Sequence, residues 1–468
     1  MEYGRIFWFF AVLFIPFISI VTYLIWHEFD NKDHVLTLWK DSTNYCNPVE
    51  HIRLKDETYV DQLVQSGYEL SKVIVILRHG DRGPLRQLKR LNSLYCDDQN
   101  VKDLLNRFRE LFQHYQIGSS LPSEYFKLPD KKCRRKRLTR VGLSQQVKLG
   151  QMIGQLYWDK LGLYTENLNR FVNVTTTNYS RTFQSALAFL FGMLGSDIAA
   201  FNSTILKVIK DPYFCGIDGF QQYCMGSCTQ ISKITTQLDW RLLLTQQEQK
   251  EIQILIKKVG QIIATDLTQA EQFNSLMSIF DGVSAYQCHD EALPCDPVFG
   301  CVTLEQVRNV TELLCLQGTR LYQSSSYQQI CWLKIYPFLH YLFLQSNVFN
   351  SETKFHIFAA HDITLESLKT VLRLDDCSIP PYSSRFIFEI YKKQMKNYIR
   401  LIYNGQDVTS FLTVKFKSIL DFKLIPFEQF EFFLRQKFKS VTGYNDYRDA
   451  CDHESKHRDL DNNDLDRL

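Results

Sequence analysis

Apolar positions follow two rhythms along this chain. Residues 73–77 (VIVIL), 171–176 (FVNVTT) and 354–360 (KFHIFAA) are short, nearly unbroken apolar runs, as strands covered on both faces require. Between them the period lengthens. Residues 101–117 place Leu104, Leu105, Phe108, Leu111 and Phe112 on one helical face. Residues 139–158 do the same with Val141, Val147, Leu149, Ile153 and Leu156, behind a Thr139 that can cap the helix. Residues 182–194 predict a strongly apolar helix, and Asp362, Thr364 and Leu365 can begin another. Residues 385–391 and 398–403, separated by KKQMKN, predict an antiparallel hairpin at the sheet edge, and Asn404-Gly405 a further turn. Residues 205–344 are richer in glutamine, cysteine and helical period, without strong strands, and predict a mainly helical insertion. Together the segments specify an α/β fold.

The three apolar runs end in chemistry. The first is followed by Arg78, His79, Gly80, Asp81, Arg82, Gly83 and Pro84; the second leads to Arg181; the third ends in His361-Asp362. Ligands of α/β sheets sit at the carboxyl ends of strands, so these side chains can meet despite their separation in sequence. Singly, each has a plain structural explanation: a charged turn, a lone arginine, a capped helix. Jointly, three guanidiniums, two imidazoles and a carboxyl suit a phosphate monoester, because arginines match phosphate bidentately and stay charged without help from a metal. Asp81 receives no catalytic role.

Charge and cysteine content narrow the setting. Lys and Arg number 54 against 51 Asp and Glu, a net charge of +3, so nothing drives the whole chain toward nucleic acid. Residues 6–26 (IFWFFAVLFIPFISIVTYLIW) carry no charge and are long enough to span a bilayer. Arg5 precedes them and Glu28, Asp30 and Asp33 follow, which favours a type II signal anchor with a cytosolic tail at 1–5 over a cleaved signal peptide. Residues 27–66 look like a luminal stem, 67–451 like the folded domain, and 452–468 like a disordered polar tail. Thirteen cysteines and the sequons at Asn173, Asn178, Asn202 and Asn309 point to an oxidising, glycosylating lumen. Cys224 with Cys228, or Cys288 with Cys295 and Cys301, read better as disulfides than as zinc ligands, because no paired CxxC units occur; thirteen being odd, at least one thiol is free, intermolecular or membrane-associated. The tail lacks the glycine and terminal glutamate of a calcium loop. No metal or other cofactor is expected. Residues 131–137 (KKCRRKR) are basic at every position but Cys133; they fit a solvated loop, a patch for an acidic glycan or membrane face, or a processing site.

On these residues the chain resembles the histidine acid phosphatases, branch 2 of the histidine phosphatase clan. Residues 78–84 (RHGDRGP) fit the family's RHGxRxP motif and His361-Asp362 its HD motif; Leu138, Thr139, Gly142 and Gln145 resemble its LTxxGxxQ helix, and Ser180-Arg181-Thr182 its second-arginine segment. The resemblance covers roughly residues 70–450. It implies a phosphoglycerate-mutase-like fold, with a mixed, mainly parallel central sheet flanked by helices. It also implies His79 as the nucleophile that becomes phosphohistidine, Asp362 as proton donor, and Arg78, Arg82, Arg181 and His361 as the phosphate clamp. The signal anchor, the segments RFIFE at 385–389 and IRLIYNGQDVT at 399–409, and YNDYRDAC at 444–451 look most like Golgi members that dephosphorylate xylose in the proteoglycan linkage region. The partner so implied is a phosphorylated glycan on a proteoglycan core protein. Weighed against this are a broad lysosomal or cell-surface acid phosphatase and, in a different class, an inactive glycan-binding scaffold; the intact His79 and Asp362 oppose the latter. A metal-dependent HD phosphohydrolase is disfavoured, since its further His and Asp ligands are not apparent.

Overall fold

A computed structural model describes residues 43–98, 101–117, 119–195, 206–217, 224, 227–239, 243–344, 351–374, 377–413 and 423–452. The anchor at 6–26, the cytosolic tail, residues 27–42 of the stem, Asn202 and all of the polar tail beyond Asp452 lie outside the described residues. Among the described residues no helix is long and apolar enough to cross a membrane.

The five predicted strands join three short ones in one sheet. Its members are β1 (Glu69–Arg78), β2 (Val172–Thr177), β3 (Leu206–Ile209), β4 (Phe355–Ala360), β5 (Arg385–Lys393), β6 (Lys396–Tyr403), β7 (Gln406–Asp407) and β8 (Ile425–Pro426), in spatial order β8-β6-β5-β1-β4-β2-β3 with β7 beside β6. The half from β1 to β3 is parallel, through the pairs β1–β4, β4–β2 and β2–β3. The half from β1 to β8 is antiparallel. Helices cover both faces. On one, α1 (Lys102–Gln116), α2 (Arg140–Tyr157) and α3 (Ser180–Leu194) pack against Val73, Val75 and Leu77. On the other, α7 (Ser325–Leu339), α8 (Asp362–Leu372) and α9 (Phe427–Thr442) cover Ile74 and Ile76. Alternate residues of one run thus feed two cores, which is why the run is apolar throughout.

Three expectations are corrected. The hairpin is not at the sheet edge: β5 hydrogen-bonds β1 near the centre, and β6 is itself covered by β8. Its turn is tighter than KKQMKN suggested, with only Gln394 and Met395 between the strands, both at positive φ. The stretch 205–344 is not one insertion, because β3 extends the main sheet and α7 packs on it; a third core, built by α4 (Gln246–Ile263), α5 (Leu276–Gln287) and α6 (Leu304–Gln323), is the separate helical part. The supposed stem belongs to the domain from residue 43 onward. Tyr45, Ile52, Val60 and Leu63 are buried, and Glu57 is buried against the Arg385 guanidinium. Short α-helical and 3₁₀ turns carry this segment, too brief to give its apolar residues a regular period, so the pattern hid them.

Candidate active site

Register brings the strand ends together. Arg78 is the Cα partner of Ala360 across β1 and β4, and Thr176 that of Ala359 across β2 and β4. The residues leaving β1, β2 and β4 therefore emerge side by side: His79 after the first, Arg181 in the first turn of α3 after the second, His361 and Asp362 after the third.

His79 is 1 % exposed, with its backbone N–H donated to the Ala360 carbonyl. Its Nδ1 lies 2.8 Å from the carbonyl oxygen of Gly80. A carbonyl only accepts, so Nδ1 carries the proton and the lone pair is on Nε2. Burial, with Arg181, Arg78, Arg82 and His361 nearby, holds the imidazole well below its ordinary pKa. His361 is oriented at both nitrogens, 3.3 Å from Arg181 Nη2 at Nδ1 and 2.8 Å from Thr177 Oγ1 at Nε2. Because Arg181 must donate, Nδ1 accepts and Nε2–H faces the threonine. Burial and then Arg181 push its pKa down as well. The two rings meet edge to face at 5.7 Å.

The arginines are held by groups invisible in the motifs. Arg78 donates to the Pro380 carbonyl at 2.5 Å, to Tyr45 Oη at 3.0 Å and to Asp362 Oδ2 at 2.9 Å, and lies over the Tyr382 ring. Arg82 pairs with Asp281 of α5 at 2.7 Å, both side chains buried; the other oxygen of Asp281 accepts from Leu85 N–H. Arg181 lies over the Tyr179 ring, and burial together with Arg82 lowers it to about 10, so it stays charged at neutral pH. In all three arginines Nε is buried and finds no hydrogen-bond partner among the described residues. Buried donors are nearly always satisfied, and a phosphate's oxygens would satisfy these. Asp362 feels opposing effects: burial favours its neutral form, but Arg78 and Arg82 outweigh burial and keep the carboxylate ionised, with Ile363 N–H donating to Oδ1 at 2.9 Å.

The LTxxGxxQ residues build the floor. Thr139 caps α2 by accepting from Gly142 N–H, and its hydroxyl donates to the Asp81 carboxylate. Gln145 accepts from Asp81 N–H and donates to the Cys46 and Asn47 carbonyls, so one amide joins the catalytic loop to the N-terminal segment. A Cβ on Gly80 would come within 2.2 Å of the Gly142 carbonyl, and one on Gly142 equally close to that of Asp81. The two glycines exist for this backbone approach. Asp81 is structural here: its carboxylate also meets His289 at 3.2 Å, and although burial opposes the charge, Asp81 raises the histidine above its ordinary pKa.

Tyr45, Asp281, Tyr382, Gln146 and Ser383 were missed by sequence reasoning. Gln146 Nε2 donates to the Arg78 carbonyl and to Ser383 Oγ. A hydrophilic residue on the buried face of α2 was the available signal for Gln146; the other four stand in segments without a motif.

Twelve of the thirteen cysteines pair: 46–288, 96–133, 215–224, 228–451, 295–301 and 315–377; Cys331 is the buried free thiol. The set Cys96, Cys133 and His289, compact enough to hold a metal, is a disulfide beside a histidine turned to Asp81. Of the sequons, Asn178 and Asn309 are exposed, whereas Asn173 lies half-buried within β2 beside His356.

Comparison with known proteins agrees with this constellation. The profile of the histidine phosphatase superfamily (branch 2) matches residues 69–283, which include Arg78, His79, Arg82 and Arg181. The chain is 26 % identical over 410 residues to 2-phosphoxylose phosphatase 1 of Xenopus tropicalis, covering 82 % of this chain and 77 % of that one. With the protein of the same name from Danio rerio it shares 25 % over 463 residues, covering 88 % and 87 %. It is also 24 % identical over 399 residues to lysophosphatidic acid phosphatase type 6 of Bos taurus, covering 78 % and 85 %. His361 and Asp362 lie beyond the profile match, and the register of β4 against β1 and β2 sets them beside His79. The chain is a phosphatase whose residues 69–283 match the histidine phosphatase superfamily (branch 2).

Proposed function

We propose that this phosphatase works through a phosphohistidine on His79 and that its substrate is the 2-O-phosphate of xylose in the linkage region of proteoglycans, whose removal promotes glycosaminoglycan synthesis. The observation that carries the mechanism is the commitment of Nδ1 to Gly80, which leaves Nε2 as the only nucleophilic nitrogen among three arginines. Arg78, Arg82 and Arg181 bind the phosphoryl oxygens and the charge that develops on them, with His361 holding the Arg181 guanidinium in place, so no metal is needed. Nε2 attacks phosphorus as the ester oxygen departs, and the Gly80 carbonyl stabilises the imidazolium so formed. A sugar alkoxide leaves poorly, so Asp362 protonates it, a contribution of order 10²- to 10⁴-fold. Asp362 is ionised when Arg78 and Arg82 face it alone; a phosphate dianion shared by the same arginines opposes that charge and raises its affinity for the proton. The carboxylate then accepts a proton from the water that attacks the phosphohistidine, and inorganic phosphate is released.

Names carried by relatives at 25–26 % identity support the xylose substrate. The apolar run at 6–26, six disulfides and exposed sequons support a type II Golgi protein with its catalytic domain in the lumen. Rapid quench with ³²P-labelled phosphoxylosyl oligosaccharide is expected to trap acid-labile phosphohistidine in the wild type and none in His79→Ala. Undiminished turnover by His79→Ala would falsify the mechanism. Equal kcat/KM on phosphoxylosyl oligosaccharides, lysophosphatidate and simple phosphomonoesters would replace the specific substrate with a broad acid phosphatase.

A further inference from the structure

The basic run at 131–137 is fastened by its backbone to the loop that follows His79. Gly83 N–H donates to the Arg137 carbonyl at 3.0 Å and Lys136 N–H to that of Pro84 at 3.1 Å, with further bridges from Arg82 to Leu138 and from Gly83 to Arg135. Its other edge is fastened too: Cys133 N–H donates to Leu94, Cys96 N–H to Lys131, and Cys96–Cys133 cross-links the two strands. Gly83 permits the contact, since a Cβ there would lie 2.1 Å from the Arg134 carbonyl. Arg137 reaches across to Ser180 Oγ at 2.9 Å, next to Arg181. The strap thus runs from the catalytic loop to the helix that carries the third phosphate arginine.

Most of its charge has no local use. Arg134 pairs with Asp130 and Arg137 with Glu124, while Asp97, next to Cys96, is taken by Arg140. Lys131, Lys132, Arg135 and Lys136 are exposed and have no carboxylate partner among the described residues. Four uncompensated cations on a fixed rim attract anions that enter with a substrate, and their mutual repulsion is relieved when one arrives.

We propose that this strap is a second anion-binding site, which recognises a uronate or sulfate carried by the same glycan as the scissile phosphate. The inference rests on a sugar phosphate being the substrate. A glycan is favoured over a membrane because the strap is bonded to the phosphate loop itself, where the rest of a bound substrate must leave the pocket.

The test compares two phosphorylated xylosyl oligosaccharides, one ending in a uronate and one with that carboxyl reduced to an alcohol. A second such pair has its phosphate on a glucose 6-hydroxyl. Full-length enzyme in detergent is expected to favour the uronate about tenfold in kcat/KM at low salt, with the preference fading near 0.15 M salt, where the screening length is about 8 Å. Replacing Lys131, Lys132, Arg135 and Lys136 together by serine removes the preference and leaves kcat/KM for 4-nitrophenyl phosphate within about twofold, which also reports that the variant is folded. An unchanged preference in the variant, or none in the wild type, overturns the proposal. Strap-dependent binding to phosphatidylserine vesicles without a uronate preference overturns it in favour of a membrane. If the preference appears on the glucose phosphates while the xylose phosphates are poor substrates, the strap stands and the xylose reading falls.

Discussion

A single carbonyl oxygen decides what His79 can do. The Gly80 carbonyl accepts a hydrogen bond from Nδ1–H, and burial among guanidiniums holds the imidazole below its ordinary 6.5, so Nε2 keeps its lone pair. Because the shift is downward, the proposed nucleophile persists as pH falls. The kcat/KM for 4-nitrophenyl phosphate is therefore expected to hold between pH 6.5 and 5; an acid limb with its midpoint near 6.5 would show that His79 titrates normally. The same scale assigns Asp281 a positioning role. It binds Arg82 from α5, outside the strand ends that carry the motif, and fixes the loop through Leu85. Asp281→Asn should lower kcat/KM about ten- to hundredfold, mostly through KM, since misplacing a clamp by an ångström costs on that order. Asp281→Glu should restore part of the loss. A substitution that lowered thermal stability but left KM unchanged would mark the pair as merely structural.

Strands position the chemistry, and buried charge positions the strands. Arg400 of β6 is fully buried. It donates to Glu389 of β5 at 2.9 Å, to Asp407 of β7 at 2.7 Å and to the Asp56 carbonyl at 2.6 Å. Tyr157 of α2 and Tyr391 complete the shell of Glu389. These residues explain the RFIFE and IRLIYNGQDVT segments as a polar lock between the antiparallel half of the sheet, α2 and the N-terminal segment. Arg400→Met strands Glu389 and Asp407 without their cation and is expected to cost about 3–5 kcal/mol in urea denaturation. The double variant Arg400→Met/Glu389→Gln should recover part of it. A loss under about 1 kcal/mol would mean that water reaches the network. Of this lock the sequence showed only the strands; which acids and bases face one another depends on the register of β5 with β6.

At the scale of the molecule, disulfides close the site from outside. Cys46–Cys288 joins the segment that carries Tyr45 to the end of α5, the helix of Asp281, across 242 residues of sequence. Cys315–Cys377 ties α6 to the stretch leading to Pro380 and Tyr382. Cys46→Ser/Cys288→Ser is expected to lose about 2–5 kcal/mol of stability and to raise KM with little change in kcat, because Arg78 and Arg82 lose their supports together. Denaturation and steady-state kinetics on one preparation separate the two effects. The sequence by itself determined the strands β1, β2, β4, β5 and β6, the three polar strand ends and the residues His79, Arg78, Arg82, Arg181, His361 and Asp362 that stand there, because uninterrupted apolar runs and a dense local motif are properties of neighbouring residues. Only the tertiary structure decided the tautomer of His79, the pairing of Arg82 with Asp281, the entry of Tyr45 and Tyr382 beside Arg78, the disulfide partners, and the strap along the catalytic loop. Each of those joins residues far apart in sequence or fixes the direction of a side chain, and neither leaves a periodic trace in the order of amino acids.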